Sequence, residues 1–583
     1  MNQKTVLYFR KEMEMLKNER EQLVERYSKL SPFLSKDAQD PETEKLIDNL
    51  AILTAKIRQE MDENIPFLAE SLLNILSPNF TTPIPSVALQ SFEIDKGSDL
   101  PYVCIPKGSQ VFATIQEDQC YFKTLYDVHL YPLKVDNVVL QNVGSSQMLS
   151  LSISSTNPKL MISDLKLSVL HFFLGNDIHT STTLLMWFFS YLEHISIQNP
   201  TTKQEYKIPI SSIFQIGLKE QESMFAGRNK GIEAFGLLQE FLIMPDKFNF
   251  FGISDLGVTE HIQEQSFLLK FIFSYPLPPI CIPKEYHFQL GISPIVNTFV
   301  MSAEPITNDG KRDSYRIFID RERPKNYEIL ELIRVSAHNV QLGRRRLKNY
   351  KNFERFDFFE KNGDLKDFYN IQTRYTLKQE SYKEISFFNY GEDFIGPETI
   401  SIEAYVCNAD IPKSLSLSQI SNIENFSSVK TANISNPTPM QKCEVDGDLM
   451  WKLVGFLTVN IEGIMSKESF LALLQVYNFY STDQLRVREQ TLDIQKIASN
   501  LIDIKSQITY RITNGASRRG VLCVMQFNLE DFYCVGEVYR LGLVFSHFLN
   551  YFSPLNSFCE LQVECFEKQL LKYRIKYDSY NRG

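Results

Sequence analysis

Histidine is the side chain that most often binds metals or transfers protons near neutral pH, so its spacing indicates possible chemistry. The chain has no H-E-x-x-H motif, and its closest pair, His171 and His179, is too far apart to occupy adjacent turns of one helix. We therefore predict no metal site, no cofactor and ordinary core or surface positions for all eight. They are His129, His171, His179, His194, His261, His287, His338 and His547.

Cysteine is the other residue type that binds zinc or forms a structural framework. The nine cysteines are an odd number, and no two have C-x-x-C spacing. Neither a zinc site nor a secreted disulfide framework fits this pattern. We predict a reducing compartment in which the thiols behave as small core residues. They are Cys104, Cys120, Cys281, Cys407, Cys443, Cys523, Cys534, Cys559 and Cys565.

Sequence motifs of nucleophilic catalysis and of nucleotide binding are absent. The chain contains no G-x-S-x-G, no G-x-x-x-x-G-K-[ST] and no G-x-G-x-x-G following a strand. Glycoside hydrolysis needs two carboxyl groups about 5 to 10 Å apart, which one sequence cannot show. The nearest acidic cluster, Asp446-Gly447-Asp448, is typical of a turn. We predict that the chain is not an enzyme, and a β-rich glycan-acting hydrolase remains as an alternative.

Basic and aromatic residues alternate after Gly343, in the order Arg344-Arg345-Arg346, Lys348, Tyr350, Lys351, Phe353 and Phe356. Such a mixture can bind single-stranded nucleic acid by stacking. Acidic residues at Glu354, Asp357 and Glu360 dilute the charge, and the whole chain has a net charge of −9. A nucleic-acid partner is therefore not expected, and we interpret this stretch as a solvated loop or a protein contact.

The bulk properties indicate a globular protein. The 583 residues exceed the usual size of one core, so two or three domains are expected. The composition is 43% hydrophobic and 22% charged, which is not that of a disordered chain. The run from Leu184 to Phe189 is far shorter than the ~20 residues of a membrane helix, and the N-terminus carries both charge signs. We expect a cytoplasmic protein without membrane insertion.

A stripe of apolar residues near the N-terminus follows a seven-residue repeat, which Arg20 interrupts. The stripe comprises Val6, Phe9, Met13, Leu16, Leu23, Tyr27 and Leu30. So narrow a stripe needs a partner helix. Either it packs within its own fold against a helix that begins at Asp40-Pro41, or it joins a helix bundle shared with other chains.

The apolar period changes from helical to alternating after a hinge at Pro83-Ile84-Pro85. Alternation over Leu149–Ile153, Leu165–Val169, Ile400–Val406 and Cys559–Cys565 predicts strands in antiparallel sheets, with the last closing the chain. Helical spacing of six apolar residues predicts one clear helix, formed by Leu541, Val544, Phe545, Phe548, Leu549 and Phe552.

Two polar stretches, Ala337–Asp367 and Ser414–Cys443, are typical of long loops or linkers. The predicted fold class is α+β, with a helical N-terminal segment followed by two antiparallel β-rich domains with inserted helices. The expected boundaries are 1–82, 83–335 and 336–583.

Short strings of residues follow one another in an order that resembles the TssF family, also called VasA or ImpG, of type VI secretion baseplate subunits. The strings include Tyr8-Phe9, Asp40-Pro41, Met61-Asp62-Glu63, Leu72-Leu73, Ile105-Pro106-Lys107-Gly108, Leu237-Leu238-Gln239-Glu240-Phe241 with Pro245, Lys247-Phe248 and Phe250-Phe251, Pro294-Ile295-Val296-Asn297, Ala303-Glu304-Pro305-Ile306, Trp451, and Phe548-Leu549. Those from Leu237 to Phe251 are the most specific.

This resemblance implies a structural role without catalysis. Members of the family form baseplate wedges, typically two copies with one TssG, joined by TssK and TssE. Six wedges surround a VgrG spike and connect the membrane complex to the contractile sheath and tube. The apolar N-terminal stripe would then join a bundle with TssG and a second copy, with the baseplate docked at the inner face of the inner membrane. A wedge protein of a contractile phage tail is the alternative within this architecture.

Overall fold

The computed structural model describes most of the chain beyond residue 80. The described residues are 10, 13, 51–54, 72–73, 80–95, 97–115, 118–225, 233–339, 343–349, 367–375, 381–389, 397–442, 455, 465–476, 494–513, 516–551 and 557–577. The chain divides into two compact units, Met1–Leu76 with Val445–Leu457, and Ser77–Glu444 with Thr458–Gly583. The elements described below belong to the second unit.

The first half of this unit is mainly β-structure. Its strands are β1 (Val87–Ile94), β2 (Val103–Ile105), β3 (Gln110–Ile115), β4 (Asp118–Thr124), β5 (Val128–Leu130), β6 (Leu133–Val143), β7 (Ser146–Ser155), β8 (Leu170–Phe173), β9 (Leu192–Gln198), β10 (Glu205–Ile208), β11 (Ile213–Gln215), β12 (Phe250–Ile253), β13 (Ser266–Phe273), β14 (Gln289–Leu290) and β15 (Ile292–Val296).

The second half continues this pattern. Its strands are β16 (Phe299–Ser302), β17 (Ile306–Asn308), β18 (Tyr315–Arg316), β19 (Glu328–Asn339), β20 (Gly343–Asn349), β21 (Asp367–Tyr375), β22 (Ser381–Asn389), β23 (Glu398–Cys407), β24 (Asn422–Ile423), β25 (Val429–Asn433), β26 (Leu501–Thr513), β27 (Ala516–Asn528), β28 (Phe558–Glu567) and β29 (Leu570–Tyr577).

Helices are inserted between these strands. The α-helices of the described chain are α1 (Ile178–Ser190), α2 (Glu233–Ile243), α3 (Lys467–Val476), α4 (Ile494–Asn500) and α5 (Val535–Tyr551). Short 3₁₀ turns span Ile162–Leu165, Ile210–Ser212, Glu220–Glu222, Pro245–Phe248, Leu256–His261, Glu285–His287 and Ile411–Ser414. No described helix is long and apolar enough to cross a membrane.

The strands form several sheets in which antiparallel pairing dominates. The strand orders are β24-β3-β4-β15-β1-β25, β10-β9-β13-β7-β6, β11-β12-β8-β14, β16-β23-β19-β20-β21-β22-β18 with β17 beside β23, β2-β5, and β26-β27-β28-β29. Two pairs, β20 with β21 and β27 with β28, are parallel. The predicted class is confirmed at the level of a strand-rich α+β chain with several antiparallel sheets.

Alternating side chains explain why these strands pair and bury one face. In β7, Leu149, Leu151 and Ile153 are buried between half-buried serines. They lie opposite apolar residues of β13, so both strands present the same face to the core. The apolar run of α1 lies against this face, where the Phe188 ring is 4.9 Å from the ring of Phe271. The other side of α1 is buried as well, and the hydroxyl residues 180–183 in its first half are buried together with the apolar residues of its second half.

Several strand and helix predictions are confirmed. The alternating segments at 149–153, 400–406 and 559–565 lie in β7, β23 and β28, and residues 541–549 of the apolar helix lie in α5, whereas its last predicted residue, Phe552, lies outside the described residues. The segment at 559–565 does not close the chain, because β29 follows and pairs with it. The predicted division at 82/83 and 335/336 stays a prediction, and β19 runs through the second position.

The predicted strand at Leu165–Val169 is wrong. The Asp164 carboxylate accepts a hydrogen bond from the backbone N–H of Met161 and closes a 3₁₀ turn, after which Lys166 adopts a left-handed φ of 46°. Leu165 and Leu167 are nevertheless buried. The alternation therefore reflects burial of alternate side chains without strand pairing.

The prediction of a loop from Ala337 onward is also wrong for its described part. Gly343–Asn349 is a strand that pairs with the end of β19, with Ala337 opposite Arg345. The sequence did not predict this strand because its arginines gave it the composition of a loop. Arg344 and Arg346 are exposed, whereas Leu347 is buried. The second polar stretch is largely irregular, but it contributes β24 and β25 to the first sheet and so is packed against the fold.

Candidate functional site

The most specific string of the sequence, Leu237 to Phe251, forms a bend between a helix and a strand. Helix α2 ends at Ile243, two residues before Pro245, because the residue before a proline disfavours the helical conformation. Pro245 then begins the 3₁₀ turn, and strand β12 follows directly. The bend brings the last turn of α2 and the 3₁₀ turn close together.

A salt bridge lies inside this bend. The Lys247 ammonium donates to the Glu240 carboxylate, and both side chains are fully buried. The second carboxylate oxygen of Glu240 accepts hydrogen bonds from the Ser223 hydroxyl and, at 2.8 Å, from the backbone N–H of Met224. The ammonium also donates to the carbonyl of Gly217 at 3.2 Å. Both charges are therefore compensated by a partner charge and by additional hydrogen bonds, as buried ions require.

The backbone around this pair leaves no spare space. The Tyr126 hydroxyl donates to the Lys247 carbonyl at 2.8 Å, and burial raises the pKa of Tyr126 well above its usual range. Gly217 has a φ of +101°, and a Cβ there would lie 2.7 Å from the Tyr126 oxygen. Only glycine satisfies both the left-handed backbone and the close contact.

A second buried cation joins the same bend from far along the chain. Arg540, in α5, is 1% exposed and donates to the Asn249 side-chain oxygen at 2.9 Å and to the Pro245 carbonyl at 3.4 Å. The Asp246 carboxylate lies 3.9 Å from the guanidinium, and burial lowers the pKa of Arg540 from its ordinary value. We call Glu240, Lys247, Asn249 and Arg540 the charged junction.

The charged junction has a structural role. Its ions are enclosed, so a substrate cannot reach them. Its hydrogen bonds connect α2, the 3₁₀ turn with Asn249 after it, and α5. A buried pair of this kind costs several kcal/mol to desolvate and tolerates few alternative geometries. It fixes one arrangement of these elements. No group of three or more potential metal ligands occurs within the described residues.

Two histidines that are distant in sequence form a second cluster. The His129 and His171 rings are 5.1 Å apart in an edge-to-face arrangement, and the Phe214 ring is 5.9 Å from that of His171. Burial, aided by the neighbouring imidazole, lowers the pKa of His171 to about 4, and burial also lowers that of His129. The sequence did not show this contact because the two residues are far apart in the chain. The Tyr102 hydroxyl lies 2.8 Å from the Nδ1 atom of His129, so the cluster also contains a polar contact.

The residues predicted to bind partners fall almost entirely outside the described part. Met13 is helical and half-buried, whereas Val6, Phe9, Leu16, Leu23, Tyr27 and Leu30 lie outside the described residues, as do Asp446-Gly447-Asp448. The shared helix bundle therefore stays a prediction.

The cysteines behave largely as predicted. None of the eight described cysteines forms a disulfide. Six of them are buried, but Cys104 is exposed and Cys534 is half-buried, so the thiols are not all core residues.

Arg540 is the main residue of the junction that the sequence reasoning missed. It had a visible signal, because it is the one Lys or Arg of α5, a helix otherwise rich in apolar side chains. A single cation in a buried helix requires a partner, although the sequence does not show which one.

The comparisons with known proteins all indicate the same family. Residues 1–575 match the family model described as type VI secretion system, TssF. The type VI secretion system component TssF1 of Pseudomonas aeruginosa is 20% identical over an alignment of 633 positions, which covers 99% of each protein.

Two solved structures share the fold. One chain of a TssK-TssF-TssG baseplate subcomplex of the type VI secretion system, determined by cryo-electron microscopy, matches with a TM-score of 0.77 at 18% identity, covering 93% of this chain and 99% of that one. One chain of the baseplate complex from the type VI secretion system matches with a TM-score of 0.58 at 16% identity, covering 99% of both. The family predicted from the ordered strings is thus confirmed, and the chain belongs to the TssF family of the type VI secretion system.

Proposed function

We propose that this chain is a structural subunit of a type VI secretion baseplate wedge and has no catalytic role. The observation that carries the proposal is the family match over residues 1–575. The fold of the chain in the TssK-TssF-TssG baseplate subcomplex, which this chain matches over 93% of its length, supports it. TssG and TssK are therefore the first partners to test.

The charged junction suits a wedge subunit. A baseplate must hold one arrangement until firing and then switch between discrete states, which rigid bodies with well-defined packing do best. Buried ions that connect α2, the 3₁₀ turn after it and α5 resist gradual deformation, because a small displacement leaves a charge without compensation. This gives a physical reason for a subunit that moves as a block.

The N-terminal stripe is the proposed assembly element. If the segment is helical, Val6, Phe9, Met13, Leu16 and Leu23 share one face, and each would contribute about 1.5–3 kcal/mol when fully buried. We propose that this face, continued by Tyr27 and Leu30, forms a bundle with TssG and a second copy of the chain. TssE and the VgrG spike are further proposed neighbours, in a cytoplasmic baseplate at the inner face of the inner membrane.

The experiment is co-expression of this chain with the TssG-like and TssK-like proteins of the same organism, followed by native mass spectrometry. The proposal predicts a discrete complex that contains TssG and more than one copy of this chain. A monomer that binds neither partner would contradict the wedge assignment. A complex with a single copy would retain the baseplate role and reject the two-copy arrangement.

A further inference from the structure

The four-stranded sheet near the C-terminus ends in a long edge strand. β26 spans 13 residues, and within the described part of the chain β27 is its one strand partner. An edge strand presents backbone N–H and C=O groups that can pair with another strand, and proteins usually protect long edges by covering or shortening them. This edge is therefore a possible site for strand addition.

Apolar side chains project from the far half of this strand into solvent. Ile508, Tyr510 and Ile512 are 58%, 68% and 80% exposed. They alternate on the same face as Ile504, which is buried opposite Met525. The apolar face that is buried at Ile504 thus continues along β26 into the exposed residues 508–512, over about 13 Å at 3.3 Å per residue.

The charge of the hairpin is opposite to that of the whole chain. Residues 501–521 contain four cations, Lys505, Arg511, Arg518 and Arg519, against one acidic residue, Asp503, which lies 3.6 Å from the Lys505 ammonium, whereas the net charge of the chain is −9. Lys505 and Arg511 alternate with the apolar residues, so they face the other side of the sheet. Arg511 contacts Glu560 of β28 at 2.6 Å, which shows that this side accepts carboxylates.

We propose that the β26 edge, residues 504–512, is a docking site for an extended segment of another subunit in which apolar and acidic residues alternate. The added strand would place its apolar side chains beside Ile508, Tyr510 and Ile512 and its carboxylates beside Lys505 and Arg511. Main-chain pairing would supply affinity, and the alternation would supply specificity. The inference deepens the proposed function, on which it rests, by assigning one contact surface.

A second copy of the chain fits this edge less well. Pairing two copies edge to edge would bring two sets of four cations together, and in each copy Asp503 and Glu560 offset part of this charge. Like charges placed across strands destabilise pairing. Charge complementarity therefore favours an acidic partner over self-association.

The first test measures backbone hydrogen exchange in the isolated full-length chain and in its complex with the co-expressed TssG-like and TssK-like proteins. Strand addition predicts at least tenfold slower exchange of amides within 505–512 in the complex. A complex that forms without protecting these amides would overturn the docking site and leave the proposed function intact. Failure to form any complex would instead contradict the proposed function itself.

Two variants test the chemistry. Ile508→Lys with Ile512→Lys should weaken association at least tenfold, because it removes apolar contacts. Lys505→Glu with Arg511→Glu, at the two cations that share the other face of β26, should weaken it by repelling carboxylates. The matched control is Leu570→Lys with Leu571→Lys on β29, the opposite edge of the same sheet, where Leu570 is 75% exposed. Circular dichroism and thermal unfolding establish that each variant folds.

The results of these measurements distinguish an acidic partner from a second copy of the chain. Weaker association in both β26 variants, with the association of the β29 control unchanged, supports the proposed docking site. Wild-type affinity in both β26 variants would overturn it. A concentration-dependent dimer of the isolated chain that disappears in the Ile508→Lys, Ile512→Lys variant would overturn the acidic partner in favour of a second copy.

Discussion

Lys247 donates to the carboxylate of Glu240 at a place where neither side chain reaches solvent. The two residues belong to successive elements, the last turn of α2 and the 3₁₀ turn after it, and Tyr126 and Gly217 enclose them. Such a pair adds little net stability compared with apolar residues of the same shape, because desolvation offsets the attraction. Removing one partner is costly, since the other charge stays buried without compensation.

We expect Lys247→Met to lower the free energy of unfolding by about 3–5 kcal/mol. The remaining Glu240 carboxylate would lose its cation in a dry site. Urea denaturation followed by far-ultraviolet circular dichroism measures the change. The control is Lys159→Met at an exposed ion pair with Asp99, which should change stability little.

The double variant Glu240→Leu, Lys247→Met distinguishes charge from packing. It removes both ions and should recover part of the loss, although Met224 N–H and the Gly217 carbonyl lose their partners. If the double variant were as unstable as the sum of the single variants, the two charges would not be coupled and the ion-pair account would be wrong.

Arg540 should be nearly as sensitive. Arg540→Met leaves the Asn249 side-chain oxygen without its guanidinium donor, and we expect a loss of about 3 kcal/mol in the free energy of unfolding. Arg540→Lys keeps the charge, but its shorter side chain does not place a donor where the Nη1 atom of Arg540 contacts both Asn249 and Pro245, so it should recover only part of the loss. Equal stability of Arg540→Met and the wild type would show that the junction does not hold α5.

The contrast between these residues shows how much of the fold the sequence could predict. Strands with clean alternation, such as β7 and β23, and the apolar helix α5 follow from local periodicity and were predicted. The string from Leu237 to Phe251 was recognisable as a family feature. Its role was not, because Arg540 joins it from 291 residues beyond Asn249, and local patterns contain no information about such contacts.

The errors have local physical causes. Alternation at Leu165–Val169 suggested a strand, but a turn closed by Asp164 buries the same side chains. Strand β20 looked like a loop because its outward residues are arginines, while its inward Leu347 is a single apolar residue in a short window. A strand at such a position depends on its neighbour β19 more than on its own composition.

Helices α1 and α5 approach so closely that one glycine controls their separation. A Cβ at Gly536 would lie 2.3 Å from the Thr182 carbonyl carbon. Gly536→Ala should therefore separate the helices and destabilise the chain by about 1–3 kcal/mol, which differential scanning calorimetry detects as a lower Tm. Gly257→Ala, where no atom lies within 4 Å, is the control. An unchanged Tm for Gly536→Ala would contradict this close backbone contact.

Acidification should destabilise the protein through its buried histidines. The pKa of His171 and that of His547 are lowered to about 4 by burial, against an ordinary value of 6.5. Between these pH values the unfolded chain binds more protons than the folded one, so the free energy of unfolding falls as pH decreases from about 6.5 to 4.

His171→Phe tests this pH dependence because it keeps a ring beside Phe214 without a titratable group. Urea midpoints measured at pH 7, 6 and 5 should decline less steeply in the variant than in the wild type. His261→Phe, at an exposed ring beside Tyr206, serves as the matched control. Parallel declines in the wild type and in His171→Phe would exclude His171 as a contributor.

The proposed assembly helix permits the most direct test of the wedge function. Phe9 and Leu16 lie on the apolar stripe, seven residues apart, and aspartate at both positions would place two charges in a buried seam. We expect Phe9→Asp with Leu16→Asp to abolish binding to the TssG-like protein and leave the thermal unfolding of the β-rich remainder unchanged. Lys11→Asp with Asn18→Asp has the same spacing on the opposite side of the heptad and should retain binding. If the stripe packs only within its own chain, the Phe9, Leu16 variant will instead unfold at a lower temperature or bind TssG normally, and the shared bundle will be rejected.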